Sequence, residues 1–365
     1  MHIQRVIISG GGTGGHIFPA VAIADEIKRR NPEVQILFVG ALGKMEMEKV
    51  PQAGYEIVGL PIAGFQRKLS LSNFILPFKL LKSLWKARSV VKKFNPQLVI
   101  GVGGYASGPT LQMANMLGIP TLIQEQNSYP GKTNQLLAKK AGKICTAYSG
   151  MEQFFPAEKI IQTGNPVRNL VSQKPEMLGE AQAFFHLDPT KKTILIIGGS
   201  LGARTLNESL LQHAELVVNS TVQIIWQCGK NYLSLMEEQL NSEYKSAIQV
   251  HAFIQRMDLA YAAADVIISR AGALSVSELT LIGKPCILVP SPNVAEDHQT
   301  KNAMALVKQD AAVLVRDTEA KETLFPKAIA LLNDSNACEQ LAKSIKSLAK
   351  PNATIEIVDA CESIL

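Results

Sequence analysis

Arg5-Val6-Ile7-Ile8-Ser9-Gly10-Gly11-Gly12-Thr13-Gly14-Gly15-His16 is an apolar run that feeds a glycine turn. Roughly half a chain later, Thr193-Ile194-Leu195-Ile196-Ile197-Gly198-Gly199-Ser200-Leu201-Gly202 repeats the arrangement. A continuous β-branched run is a strand buried on both faces, and helical stretches alternate with such runs along the chain. Further strands are expected at Ile36–Val39, Leu98–Gly101, Pro120–Gln124 and Lys143–Ala147. In the second half they are expected at Val222–Gln227, Ile248–Ala252, Asp265–Ser269, Pro285–Val289 and Ala312–Val315. The pattern predicts an α/β chain with two doubly wound parallel-sheet, Rossmann-like domains and a cleft between them. Residues 1–164 form the first domain and 165–340 the second, with a hinge near Thr163-Gly164-Asn165-Pro166. Residues 341–365 form a C-terminal helix able to pack back on the first domain.

Composition agrees with a large core: of 365 residues, 47% are hydrophobic and 19% charged. The net charge of +6 is modest, so its distribution matters more than its size. Five widely spaced cysteines without a CxxC give neither a disulfide framework nor a zinc site, and point to a reducing compartment. The first residues lack the pattern of a secretory leader, and no run of about 18 apolar residues offers a membrane span.

Gly10, Gly12 and Gly15 satisfy GxGxxG, a weak signal alone. A nicotinamide site usually places an acid at the end of the second strand to hold the ribose. Here that strand ends Leu37-Phe38-Val39-Gly40-Ala41-Leu42. The second loop lacks the Gly-Lys-Ser/Thr ending of a nucleotide triphosphate loop. Both loops suit a phosphate or sugar better than NAD or ATP, and no cofactor or metal is expected.

Seven segments together resemble the MurG family of peptidoglycan N-acetylglucosaminyltransferases. They are Gly11–Ala20, Gly101–Pro109, Glu125-Gln126-Asn127 with Gly131 and Thr133-Asn134, Gly164–Arg168, Gly198–Ala203, Ser269–Glu278 and Asp297–Ala303. They run in order from the first strand to about residue 305. The resemblance implies a GT-B fold and inverting, metal-independent transfer of N-acetylglucosamine. The donor would be UDP-N-acetylglucosamine. The acceptor would be the C4 hydroxyl of the muramoyl sugar of undecaprenyl-diphosphate-muramoyl-pentapeptide, turning lipid I into lipid II. The place would be the cytoplasmic face of the membrane, with the protein peripheral.

By matching position, the resemblance implies that Thr13, Gly14 and Gly15 contact the donor diphosphate or sugar. Asn127 would bind donor sugar or acceptor, and Arg168 and Ser200 the nucleotide or diphosphate. The Ile254 backbone would read the uracil edge. Ala273, Leu274, Ser275, Val276, Ser277 and Glu278 would hold the nucleotide, Glu278 through the ribose, and Gln299 would bind the sugar hydroxyls. Gln124 stands where related sequences often carry histidine, which argues against a base there. Ser128-Tyr129-Pro130 also departs from the usual small residues.

Independently of any family, UDP is a good leaving group, so the reaction needs one base and no general acid. His16 and Glu125 are the candidates. His16 suits the task because a neutral imidazole accepts a proton near pH 7. Glu125 can equally be a strand-end carboxylate that orients its loop.

Between Glu56 and Glu125 there is no acidic residue, while Arg67, Lys68, Lys79, Lys82, Lys86, Arg88, Lys92 and Lys93 are present. Phe74, Phe78, Leu81 and Trp85 recur at helical spacing. The stripe is either core or, across Phe65–Trp85, a contact with an anionic membrane surface. No nucleic-acid motif accompanies the charge. The competing readings are another GT-B lipid glycosyltransferase, a UDP-sugar epimerase, and a non-catalytic nucleotide-sugar-binding membrane adaptor.

Overall fold

The computed structural model describes residues 2–62, 76–167, 177–199 and 201–365. The chain divides into two compact units, Met1–Val167 with Lys350–Leu365, and Arg168–Ala349.

In the first unit the order is β1 (Arg5–Ser9), α1 (Gly14–Arg30), β2 (Gln35–Ala41), α2 (Glu46–Gln52), β3 (Glu56–Leu60), α3 (Leu76–Phe94), β4 (Leu98–Gly101), α4 (Ser107–Met116), β5 (Thr121–Glu125), α5 (Lys132–Leu137), β6 (Lys143–Thr146) and β7 (Ile160–Gln162). The strands form one parallel sheet ordered β3-β2-β1-β4-β5-β6-β7. Strand β1 is central, pairing Val6 with Ile36 on one side and Leu98 on the other. Its side chains alternate between two cores. Val6 and Ile8 pack in one, and Ile7 in the other. Double-sided burial is why the strand reads as an unbroken apolar run.

The second unit contains α6 (Met177–Phe184), β8 (Lys192–Ile197), α7 (Arg204–Gln212), α8 (Ala214–Asn219), β9 (Val222–Gln227), α9 (Leu233–Gln239), β10 (Ile248–His251), α10 (Met257–Ala263), β11 (Val266–Ser269), α11 (Ala273–Ile282), β12 (Cys286–Leu288), α12 (His298–Val307), β13 (Val313–Leu314), α13 (Ala320–Asn333) and α14 (Ser335–Ser347). Its parallel sheet is ordered β10-β9-β8-β11-β12-β13. Trp226 on β9 is fully buried, and its ring N–H donates to Asn207 Oδ1 at 3.0 Å, satisfying the one polar atom the indole carries inside.

Strands β3 and β7 were not expected. They are the sheet edges and only partly buried, so they lack the continuous apolar signature. The C-terminal residues also differ from expectation. Segment 341–365 is not one helix: α14 ends at Ser347 in the second unit, and a separate α15 (Ala353–Glu362) belongs to the first. Pro351 between them interrupts the helical hydrogen-bond ladder. The division falls after Val167, not after Gly164.

Helix α15 buries Ile357, Val358 and Cys361 in the same core as Val6 and Ile8. Arg30, at the end of α1, fastens it. Its guanidinium reaches Glu26 at 2.9 Å, Asp359 at 2.7 Å and Glu362 at 3.0 Å. The Arg30 and Glu26 side chains are nearly enclosed, whereas Asp359 is mostly exposed. Removing Arg30 leaves the enclosed Glu26 with Arg29 as its remaining partner, at 2.7 Å, and still costs more than losing an exposed pair. Arg30→Ala is therefore expected to lower unfolding stability by about 2 kcal/mol and Asp359→Ala by under about 0.5 kcal/mol, measured by urea denaturation. Equal losses would contradict this.

Candidate functional site

In each sheet the strand order reverses beside the first strand, between β1 and β4 and between β8 and β11. At such a point the loops leaving the carboxyl ends diverge and open a crevice. The glycine loops of the sequence occupy these two places.

In the first unit, Gly11 and Gly12 both adopt positive φ, as do Gly103 and Gly104 after β4. The loops touch backbone to backbone: a Cβ on Gly104 would overlap the Gly11 carbonyl oxygen. Glu46, 1% exposed, lies beneath the first loop. Its carboxylate accepts the Gly12 N–H at 2.8 Å and the Ala41 N–H at 2.9 Å. The acid absent from the end of β2 stands instead at the start of α2, where no motif marks it in the sequence. It serves the loop, not a ribose. The Gly12 N–H is thus engaged by a carboxylate of the protein, and α1 begins just beyond.

Thr13 caps α1, with Gly14, Gly15 and His16 in its first turn, where no acidic residue sits. Exposed N–H groups and the helix dipole favour an anion or polar oxygen there. His16 Nδ1 is 2.9 Å from the Gly11 carbonyl oxygen and 3.3 Å from Thr13 Oγ1. A carbonyl only accepts, so Nδ1 must carry the proton. The neutral ring therefore has its lone pair on Nε2, and its Cδ2–Nε2 edge lies beside Gly103.

Glu125 ends β5 and is 2% exposed. One oxygen accepts from the Asn127 N–H at 3.0 Å and Asn127 Nδ2 at 3.3 Å. The other accepts from the Gly131 N–H at 3.1 Å and Asn134 Nδ2 at 2.8 Å. Burial pushes its pKa up against the pull of these donors. A carboxylate with four N–H donors and no exposure ties residues 127–134 together. This geometry holds Asn127 in place through both its backbone and its side chain. Gln124, in turn, is fully buried and hydrogen-bonds to Asn165 Oδ1 at 3.0 Å.

In the second unit, Gly272 is the N-cap of α11. Ala273, Leu274 and Ser275 form the partly exposed first turn. Val276 is 2% exposed and turned inward, so its side chain is packing. Ser277 Oγ donates to the Ala273 carbonyl in its own helix at 3.0 Å. Glu278 accepts from the buried Tyr261 hydroxyl at 3.1 Å, which fixes the carboxylate's direction. The Ile254 N–H donates to Gln227 Oε1 at 3.1 Å, so this N–H is already engaged within the protein. Gln299 Oε1 accepts the Ser291 N–H at 2.8 Å, which orients its amide NH2 away as a donor. Two successive residues before α12, Glu296 and Asp297, hold left-handed backbone, a strain that clusters at ligand sites. A cavity of about 260 Å³ opens beside them between Pro290, Thr300, Met304 and Arg316. Arg168 and Ser200 lie outside the described residues.

Residues 6–146 match the glycosyltransferase family 28 N-terminal domain and 193–357 the family 28 C-terminal domain. The chain is 57% identical over 360 residues to the UDP-N-acetylglucosamine-N-acetylmuramyl-(pentapeptide) pyrophosphoryl-undecaprenol N-acetylglucosamine transferase of Bacteroides fragilis, covering 97% of this chain and 93% of that one. It is 54% identical to the enzyme of the same name from Parabacteroides distasonis, covering 100% and 99%. The chain belongs to the MurG family. The crystal structure of MurG from Acinetobacter baumannii superimposes with a TM-score of 0.80 at 32% identity, covering 99% of both chains. A UDP-N-acetylglucosamine 2-epimerase from Neisseria meningitidis, at 16% identity and a TM-score of 0.68, shares the fold. Two parallel-sheet α/β domains are the GT-B architecture of the MurG family.

The loop geometry makes one demand on Glu46. In Glu46→Gln, one of the two N–H groups would face an amide NH2 in place of an oxygen. An unsatisfied buried donor costs about 1–3 kcal/mol. A loss of that size is expected in urea denaturation, and an unchanged midpoint would show that the carboxylate does not hold the loop.

Proposed function

We propose that this chain transfers N-acetylglucosamine from UDP-N-acetylglucosamine to the C4 hydroxyl of the muramoyl sugar of undecaprenyl-diphosphate-muramoyl-pentapeptide, with inversion at the anomeric carbon. The observation that carries the reading is 54–57% identity over essentially the whole length to transferases of that name. It favours this activity over another lipid glycosyltransferase, an epimerase or a non-catalytic adaptor.

The chemistry follows from the groups in place. His16 Nε2 takes the proton from the acceptor hydroxyl, whose oxygen attacks the anomeric carbon. The bond to the UDP oxygen breaks, and its electron pair leaves with UDP. The first turn of α11 offers N–H groups and a positive dipole end to the diphosphate, with Arg168 and Ser200 assigned to the same task. Glu278, steadied by Tyr261, takes the ribose hydroxyls, and the Gln299 amide donates to a sugar hydroxyl. Thr13, Gly14 and Gly15 receive the polar end of a substrate at the start of α1, and Asn127 a sugar.

A general base contributes about 10²–10⁴-fold. His16→Ala is expected to lose turnover on that scale with UDP affinity unchanged, read by UDP release and by calorimetric titration of UDP. Glu278→Ala should do the reverse, weakening UDP binding about tenfold or more. Near-normal turnover in the first variant, or unchanged affinity in the second, contradicts the respective assignment.

The protein also works at the cytoplasmic membrane surface in this reading, because its acceptor is lipid-linked. No helix among the described residues is long and apolar enough to cross a membrane. Helix α3 supports surface contact. Its inner face is Ser83, Ala87 and Val91, so Phe78 (73% exposed), Leu81 (56%) and Trp85 (76%) point outward beside the exposed Lys79 and Lys82. The stripe Phe78-Leu81-Trp85 is not core. Phe65, Arg67, Lys68 and Phe74 lie outside the described residues. Each basic residue at an anionic leaflet adds about 1 kcal/mol. Lys79→Ala with Lys82→Ala should weaken co-sedimentation with phosphatidylglycerol vesicles about 30-fold. Equal binding to purely zwitterionic vesicles would remove the electrostatic part.

A further inference from the structure

One ion pair in the second unit ties together segments that follow four different strands. Arg270, the first residue after β11, sets its guanidinium against the carboxylate of Asp317, which follows β13. The two side chains are 15% and 18% exposed. The other Asp317 oxygen accepts from the Thr205 hydroxyl at 2.9 Å, in the first turn of α7, which follows β8. Arg270 Nη1 also donates to the Val289 and Pro290 carbonyls after β12, at 3.0 Å and 3.3 Å.

What the pair holds follows from two prolines. The chain leaves β12 as Val289-Pro290-Ser291-Pro292. Pro290 and Pro292 carry no N–H, so beyond Val289 this segment cannot pair as a strand does. Its one N–H, that of Ser291, donates to Gln299 Oε1 at 2.8 Å. The carbonyls just before Ser291 are the two that Arg270 holds. The place of Ser291, and through it the direction of the Gln299 amide, therefore depends on where the guanidinium sits. The loop into α11 has support of its own. The Ser269 carbonyl accepts the Val289 N–H at 2.9 Å, the Ala271 carbonyl accepts from Asn302 Nδ2 at 3.4 Å, and Tyr261 holds Glu278.

We propose that Asp317 is a positioning residue for recognition of the donor sugar. Its carboxylate keeps the Arg270 guanidinium on the Val289 and Pro290 carbonyls, which fixes Ser291 and so aims the Gln299 NH2. Without that charge, Arg270 keeps only neutral acceptors and its guanidinium is drawn toward water, because a half-enclosed cation needs its counter-charge. The carbonyls before Ser291 are then released, while α11 and Glu278 stay in place on their separate supports. The effect falls on the sugar end of the donor and spares the nucleotide end. Asp317 lies beyond Asp297–Ala303, the last of the family-like segments, so no motif marks it. The inference rests on the reading of Gln299 as the amide that binds the sugar.

The test uses the full chain in two measurements: steady-state UDP release with UDP-N-acetylglucosamine varied at saturating lipid-linked acceptor, and calorimetric titration of UDP. Losing one hydrogen bond to the sugar, Asp317→Ala should raise KM for UDP-N-acetylglucosamine about three- to tenfold. Its kcat and its Kd for UDP should stay within about twofold of the parent. Gln299→Ala should raise the same KM at least as much, again with UDP affinity kept. Because Asp317 acts through Gln299, adding Asp317→Ala to Gln299→Ala should raise KM no further. A merely structural role gives a different pattern, either weakening UDP in parallel or adding to the Gln299→Ala effect. If Asp317→Ala does not fold, Thr205→Val, which removes the hydroxyl that orients the carboxylate, should raise the same KM about threefold and likewise add nothing to Gln299→Ala. An unchanged KM in the folded Asp317 or Thr205 variant, a parallel loss of UDP affinity, or an additive double variant overturns the proposal. An unchanged KM in Gln299→Ala overturns the sugar-binding assignment of Gln299 instead, so the two failures are told apart.

Discussion

Contact between two stretches of backbone governs the first unit. The loops leaving β1 and β4 meet with Gly104 against the carbonyl of Gly11, an approach that leaves no room for a Cβ. It occurs because β1 and β4 are neighbours in the sheet while β2 lies on the other side, so their loops share one wall of the crevice. The Gly11 carbonyl fixed by that contact sets the His16 tautomer. The same approach brings Gly103 beside the His16 ring and the Gln126 amide. The second unit uses the same device: Gly202 and Gly229 approach so closely that neither position admits a side chain.

Buried carboxylates then hold the loops in place. Glu46 accepts from the backbone of the first loop, and Glu125 from the backbone and side chains of the loop after β5. Neither is a solvated acid: both are at most 2% exposed. Each replaces, with a charged acceptor, the backbone pairing that an irregular segment lacks. This separates two kinds of polar residue that look alike in a sequence. Acids beneath loops shape them, while His16 and Asn127 stand at the surface those loops create. On the second sheet Tyr261 and Gln227 play the supporting part for Glu278 and Ile254.

Much was legible from residue order alone. The runs Arg5–Ser9 and Lys192–Ile197 are apolar because central parallel strands are buried on both faces, and the glycine turns follow them because the crevice demands close approach. Edge strands β3 and β7 escaped because one side of each faces no partner strand and the composition is mixed. The break at Pro351 was present in the sequence, yet the assignment of α15 to the first unit was not. That depends on Arg30 and the face formed by Val6 and Ile8, residues more than 300 positions away.

The sequence by itself determined the two-domain α/β plan and the family, because those follow from local period and motif. Only the tertiary structure decided what individual side chains do. Phe78, Leu81 and Trp85 have core spacing, but the sheet packs on Ser83, Ala87 and Val91, the opposite face of the same helix. Glu125 stands at a strand end with either reading open in the sequence, and only the fold shows its two oxygens accepting from four N–H donors of residues 127–134. The physical reason is the same throughout. Hydrogen-bond capacity and burial are set by partners from distant parts of the chain, and the glycine loops serve chemistry only through what tertiary packing places around them.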